Sequence, residues 1–284
     1  MRSILLPLTS DPADNTALET GFRLARQFDS HLTLLYVRPQ FGTSFYAHSV
    51  SDAGYVAMIQ SLQTDAERRE ETVRQMVVSA AAEQGIALAL EGKGPEDAQA
   101  SFEIGIGEDD VILRRFAPVN DMVLFPRKSR PGETLEASSL LKSALEYSGR
   151  PILVTTDELA KDFGSKVAIA WNGSAEGARA VTAALPILSR ADDVVIFTVA
   201  TGGSKVKEGE RLQGYLKHHG IKSRSIALDL EISVARDLID AAKGSGANLL
   251  VSGGYTHGRM RQTLFGGVTH ELLETCSLPL LLAH

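Results

Sequence analysis

The sequence predicts an α/β protein built from two tandem domains, each an open five-stranded parallel sheet with helices on both faces. Three observations carry that prediction. Apolar strand-like runs alternate with helical stretches of about 10–15 residues, the pattern of βαβ crossovers in a sheet covered on both sides. The 284 residues exceed one ordinary domain and suit two of roughly 140 each. The same strand, turn, helix and strand also occur twice along the chain.

The first copy, Ser3 to Val37, reads SILLPLTSDPADNTALETGFRLARQFDSHLTLLYV; the second, Lys166 to Val199, reads KVAIAWNGSAEGARAVTAALPILSRADDVVIFTV. Each half also closes alike. Asp121-Met122-Val123-Leu124 precedes a loop, a helix and RPILVTT, and Asn248-Leu249-Leu250-Val251 precedes a loop, a helix and LPLLLAH. The expected domains are therefore 1–157 and 165–284, joined by a polar linker, Asp157 to Ser165.

Between the first half's strands, Pro39 to Tyr55 reads as a loop whose Phe41, Phe45, Tyr46 and Tyr55 pack it down as a lid. Ser61 to Gln84 reads as a long helix, with DAERREE as a solvated face. In the second half the strands fall at Val167–Trp171, Val194–Val199, Ser223–Ala227, Leu249–Ser252 and Leu278–Leu282. A helix over Ala175 to Leu188 places Ala178, Val181, Ala184, Leu185 and Leu188 on one face, with Ser174 as its N-cap. Another runs from Ser233 to Lys243, burying Val234, Leu238 and Ala241/Ala242 and ending at Gly244. His218-His219 precede Gly220 at a helix end, where cations favour the negative end of the dipole.

Composition narrows the function. A net charge of −6 argues against nucleic-acid binding, which phosphate neutralisation drives. No apolar run approaches the ~20 residues that cross a bilayer. The opening MRSILLPLTSDPAD turns polar at once and reads as a strand, not a signal peptide. The single cysteine, Cys276, fits a reducing cytoplasm and a buried small apolar position. No nucleophile arrangement, lysine-bearing phosphate loop or metal-ligand spacing is present, and Asp109-Asp110 and Asp192-Asp193 read as turn and cap residues.

The segment with the most chemistry is Leu249 to Thr269, LLVSGGYTHGRMRQTLFGGVT. A strand ending in Gly253-Gly254, a basic loop and a helix opened by Gly266-Gly267 can cradle phosphate. Glycine lets backbone amides approach an anion, and the helix start adds free N–H groups and partial positive charge. Arg259 and Arg261 put two guanidinium forks in the loop. Tight turns passing a strand into a helix would use the same glycines.

These motifs resemble the universal stress protein family in its tandem two-domain form, over essentially the whole chain. VAIAWNGSAEGARAV is similar to the family's opening strand and helix, GGYTHGRMRQTLFGGVTHELL to its nucleotide loop and PLLLAH to its closing strand. The resemblance implies a Rossmann-like fold with ligands beyond the C-terminal strand ends, at the topological switch point. It implies an adenine nucleotide, ATP or AMP, in the second half. The base would lie near Asn172, Gly173 and Val199. The phosphates would lie over Gly253, Gly254, Tyr255 and Thr256, with His257 and Arg259 as donors, and over the helix start Gly266, Gly267, Val268 and Thr269.

Two of the family's four loop positions are kept, Gly253 and Gly266; Thr256 and Gly267 stand where it has glycine and a hydroxyl residue, and Asn172 where it has an acid. The first half departs further. Thr9 occupies the acidic position, the loop FPRKSRPGETLEASSLL keeps only Gly132, and Ser138-Ser139 align with Gly266-Gly267. That half is expected to have lost the site, although Arg127, Lys128 and Arg130 leave its loop basic. The implied function is a cytoplasmic, nucleotide-binding stress-tolerance module with no metal and at most slow ATP hydrolysis. The implied assembly is an intramolecular pseudo-dimer through the closing strands, and a homodimer. The alternative is a ligand-free scaffold acting through protein partners.

Overall fold

A computed structural model describes residues 1–8, 14–41, 53–94, 99–126, 139–156, 159–199, 204–229, 233–254 and 267–284. The chain divides into two compact units, Met1–Val123 and Leu124–His284.

The first unit contains β1 (Ser3–Leu8), α1 (Asp14–Phe28), β2 (His31–Arg38), α2 (Ala53–Glu83), β3 (Leu88–Leu90), β4 (Ala100–Ile106), α3 (Asp109–Phe116) and the start of β5 (Met122–Pro126). The order is β3-β4-β2-β1-β5 and every pairing is parallel. The chain runs from β1 outward to β2 and β4, then returns to the far side of β1. Right-handed crossovers therefore put α1 and α2 on one face and α3 on the other. Ile4, Leu5, Leu6, Leu34, Leu35 and Phe102 are buried along the strands and Phe22 is buried from α1, which is why these strands read as unbroken apolar runs.

Helix α2 begins eight residues before the expected Ser61, so Tyr55 belongs to it and not to the predicted loop. Its first turns leave Val56, Met58 and Leu62 exposed, so no buried apolar stripe announced them. Phe45 and Tyr46 of the proposed lid lie outside the described residues. The DAERREE run is mostly solvated, but Glu70 turns inward. It pairs with Arg38 of β2 at 3.1 Å and with Arg74 at 3.5 Å, while Arg74 stacks over the Phe102 ring at 5.5 Å and pairs with Glu91. These contacts fix α2 to the C-terminal end of β2. The short edge strand β3 was not foreseen; three residues leave no readable alternation.

The second unit contains α4 (Ser139–Tyr147), β6 (Ile152–Thr155), β7 (Lys166–Trp171), α5 (Ala175–Leu188), β8 (Asp193–Val199), α6 (Ser204–His218), β9 (Arg224–Leu228), α7 (Val234–Gly244), β10 (Leu249–Gly253), α8 (Gly267–Thr275) and β11 (Leu280–Ala283). The order is β6-β11-β10-β7-β8-β9. Strands β11 through β9 are parallel, and β6 pairs antiparallel with β11, Leu280 opposite Val154 and Leu282 opposite Ile152. All five strands expected in this half form. Helices α4 and α8 begin at Ser139 and Gly267, the alignment expected from the two loops.

Three local readings are corrected. Helix α5 buries Gly177, Ala180, Val181, Ala184, Ile187 and Leu188, whereas Ala178 is exposed and Leu185 only half-buried. The face is turned by about a residue because α5 lies over β10 and β11 as well as β7. The described part of the polar linker is anchored: Leu159 and Phe163 are buried. Asn248 accepts from the Gly164 amide at 3.0 Å and donates to the Asp162 carbonyl at 2.7 Å and the Ser165 hydroxyl at 3.1 Å. Gly164 has φ of +80°, which favours glycine there. Helix α7 buries Ala235, Leu238, Ile239 and Ala242, with Val234 half-buried; Ser233 caps it, accepting from Arg236 N at 3.1 Å. Cys276 is fully buried, as its apolar surroundings predict.

Candidate functional site

In the second unit, β7 leads outward to β8 and β9, and the chain then returns to β10 on the other side of β7. The switch point lies between β7 and β10, where ligands of open parallel sheets bind beyond the C-terminal strand ends. Register brings the expected residues together. Trp171 stands opposite Thr198, and Ala170 opposite Ser252. Gly253, the residue after Ser252, is therefore level with Trp171 and Thr198, and Asn172 and Val199 follow one residue further on, so these residues gather at three adjacent strand ends.

Local chemistry shapes this row of strand ends. Asn172 is exposed, and its Oδ1 accepts from the Ser174 amide at 3.0 Å, a side-chain turn of the kind Asn-Gly dipeptides favour. Gly173 follows with φ of +75°, strained for any other residue. Ser174 then caps α5 by accepting from Gly177 N at 3.0 Å. The oxygen that would have been acidic in the resemblance is thus used to turn the chain into α5. Trp171, which ends β7, is half-buried, and its indole N–H has no partner among the described residues.

Gly253 has a structural reason to be glycine. A methyl group built on it would stand 2.6 Å from the Gly177 nitrogen and 3.0 Å from the Glu176 carbonyl carbon, so β10 and the start of α5 meet backbone to backbone. Gly254 differs: its amide donates to the Ala283 carbonyl at 2.8 Å, and a methyl group there would make only ordinary contact, 3.5 Å from that oxygen. At the start of α8, Gly267 and Val268 are exposed and Thr269 is buried. A methyl group on Gly267 would meet nothing within 4 Å among the described residues. Tyr255, Thr256, His257, Arg259, Arg261 and Gly266 lie outside the described residues, as do Thr9, Arg127, Lys128, Arg130 and Ser138 of the first half.

Two carboxylates flank the row that the sequence did not single out. Glu176, in the first turn of α5 and buried, pairs with Arg179 at 3.2 Å and complements the helix dipole. Glu208, half-buried on α6, brings its carboxylate against Gly173: a methyl group built there would stand 3.0 Å from Oε2. The Asn-Gly pair hinted at a left-handed turn, but nothing in the sequence signalled that a glutamate from a separate helix covers it. Among the described residues no group of three His, Cys, Asp or Glu side chains could hold a metal ion, and no helix is long and apolar enough to cross a membrane.

Residues 1–99 match the family model described as the universal stress protein family. A solved universal stress protein from Archaeoglobus fulgidus DSM 4304 superposes with a TM-score of 0.71 at 15% identity, over 99% of this chain and 97% of that chain. A functionally unknown protein from Pseudomonas aeruginosa PAO1 superposes with a TM-score of 0.56 at 16% identity, over 100% of this chain and 92% of its own. No curated protein matches the chain. Residues 1–99 are thus similar to the universal stress protein family, and the whole chain shares its fold with the solved Archaeoglobus fulgidus protein.

Proposed function

We propose that this is a nucleotide-responsive stress protein that binds an adenine nucleotide, ATP or AMP, in its second unit and acts in the cytoplasm. The base lies over the row Asn172, Gly173 and Val199; the phosphates lie over Gly254 and the start of α8. The observation that supports the reading is the exposed start of α8, where a methyl group on Gly267 would meet nothing within 4 Å among the described residues. A helix start of this kind offers free N–H groups and partial positive charge to an anion. Tyr255, Thr256, His257 and Arg259 complete the cradle in this proposal. The role of binding is regulatory, with the two halves acting as a pseudo-dimer and a second chain pairing with them.

Gly267→Arg tests the reading. Its side chain can reach solvent, so the fold survives, while the arginine fills the cradle. Calorimetry with ATP, AMP and cyclic AMP should give saturable heat for the parent chain and none for the variant. Absence of heat from all three nucleotides with the parent sinks the proposal. Two observations favour the scaffold reading instead: β6 and β11 are already paired with each other, and Gly253 serves packing. If no nucleotide binds, that reading stands, and partners recognise the fold itself.

A further inference from the structure

We propose that Glu208 is the specificity-determining residue of this crevice: its carboxylate accepts hydrogen bonds from the vicinal hydroxyls of a ribose and selects ribonucleotides over sugars that lack them. The inference rests on the nucleotide reading of the second unit and adds a residue, and a chemical preference, to it.

The placement begins with Gly209. A methyl group on Gly209 would stand 2.1 Å from the Ser225 Oγ of β9 and 3.3 Å from the Thr198 Cγ2 of β8. Helix α6 is therefore pressed onto the sheet at this residue and cannot slide without losing that contact. Residue 208, one step earlier, is held beside the sheet face and not pressed against it, and its side chain reaches the turn after β7. Both oxygens come up to Gly173. From the position of a Gly173 methyl, Oε2 is 3.0 Å, the carboxyl carbon 3.4 Å and Oε1 3.7 Å away. Gly173, with φ of +75°, has no side chain to exclude the carboxylate from the row.

Chemistry then assigns the occupant. Glu208 is half-buried and makes no hydrogen bond or ion pair among the described residues. An ionised carboxylate is acceptor-only, with about four lone-pair sites to satisfy, so the group that approaches it must donate. Phosphate oxygens cannot, and would be repelled. They belong at the α8 start, on the other side of the switch point. Asn172 is neutral and already spends one of its two acceptor sites on the Ser174 amide, so the charged acceptor here is Glu208. Two adjacent sugar hydroxyls offer two donors at the spacing a carboxylate accepts, the arrangement by which an acidic residue reads the ribose in dinucleotide-binding sheets.

The test compares the better bound of ATP and AMP with its 2′,3′-dideoxy analogue, by calorimetry on the full chain and on Glu208→Gln and Glu208→Ala. Charge-assisted hydrogen bonds predict that the parent prefers the ribonucleotide by about 10- to 100-fold. In Glu208→Ala the preference should fall to about 2-fold or less while the dideoxy analogue binds as before. Glu208→Gln, which keeps the shape and loses the charge, should lie between. A parent chain that binds nucleotide without discriminating the sugars overturns the inference, and so does an undiminished preference in both variants. No heat from any nucleotide overturns it together with the nucleotide reading, and only that outcome touches both. The sugar comparison on the parent needs no variant, so a folding defect in a Glu208 variant cannot hide the answer.

Discussion

Replacing Gly253 by alanine separates two reasons for a glycine at the end of β10. The new methyl would stand 2.6 Å from the Gly177 nitrogen, 3.0 Å from the Glu176 carbonyl carbon and 3.1 Å from the Glu176 Cβ. Ordinary contact needs about 3.5 Å or more, so the start of α5 must retreat by roughly 1 Å. The obstructing atoms are mostly backbone, and α5 is itself seated on β10 and β11. Overpacking of this kind costs about 1–3 kcal/mol, and an obstruction by backbone belongs at the upper end. Stiffening the unfolded chain returns about 0.4–1 kcal/mol. The net loss is about 2 kcal/mol, a fall in Tm of roughly 4–8 °C for a unit of this size. Gly254→Ala is the control, because its methyl makes only ordinary contacts, the nearest with the Ala283 oxygen at 3.5 Å. Calorimetric melting of the nucleotide-free variants reads the difference. If Gly253→Ala melts with the parent, or later, the close approach is not what the position serves, and anion contact regains its claim on that glycine.

Three further predictions concern the frame around the site. Burial holds the Tyr36 hydroxyl above its ordinary 10.0; Glu70 and Asp14 push the same way, while Arg69 and Arg38 oppose them. The unfolded chain therefore loses this proton first as pH rises. The stability Tyr36 contributes is complete below pH about 10 and drains away as pH climbs toward its folded value, by at most about 1.4 kcal/mol per pH unit. Urea melts of the parent and Tyr36→Phe should differ by a constant below that pH and converge above it; a difference flat throughout would contradict the burial. Gly105→Ala in β4 places a methyl 2.3 Å from the Ile112 Cγ2 and should cost about 1–3 kcal/mol, a penalty that Ile112→Ala should remove in a double-mutant cycle; additive losses would refute the contact. Asn248→Ala leaves the Gly164 amide without its acceptor and should cost about 1–3 kcal/mol, with faster hydrogen exchange over residues 159–165; unchanged exchange there would show that Asn248 does not hold the segment.

Much of the fold was legible because parallel strands buried on both faces must be apolar throughout, and runs such as Ile4–Leu8 and Leu249–Val251 carry that mark. The helix caps at Ser174 and Ser233 were legible too, since capping is decided within four residues. What escaped depends on neighbours distant in sequence. The face of α5 is set by where β10 and β11 lie, not by its own period. The first turns of α2 expose apolar residues, which breaks the pattern by which helices are recognised. At the candidate site, the gathering of residues at the strand ends was anticipated from the family resemblance. That Gly253 is pressed by Gly177, and that Glu208 covers Gly173, required the packing of α5 and α6 on the sheet.

A crystal of the full chain grown or soaked with ATP would test the account most directly. It predicts electron density in the second unit, with phosphates at the start of α8, the base over Asn172 and Val199, and the sugar hydroxyls on the Glu208 carboxylate. A second-unit crevice plugged by its own side chains, or nucleotide bound only elsewhere on the chain, would contradict it.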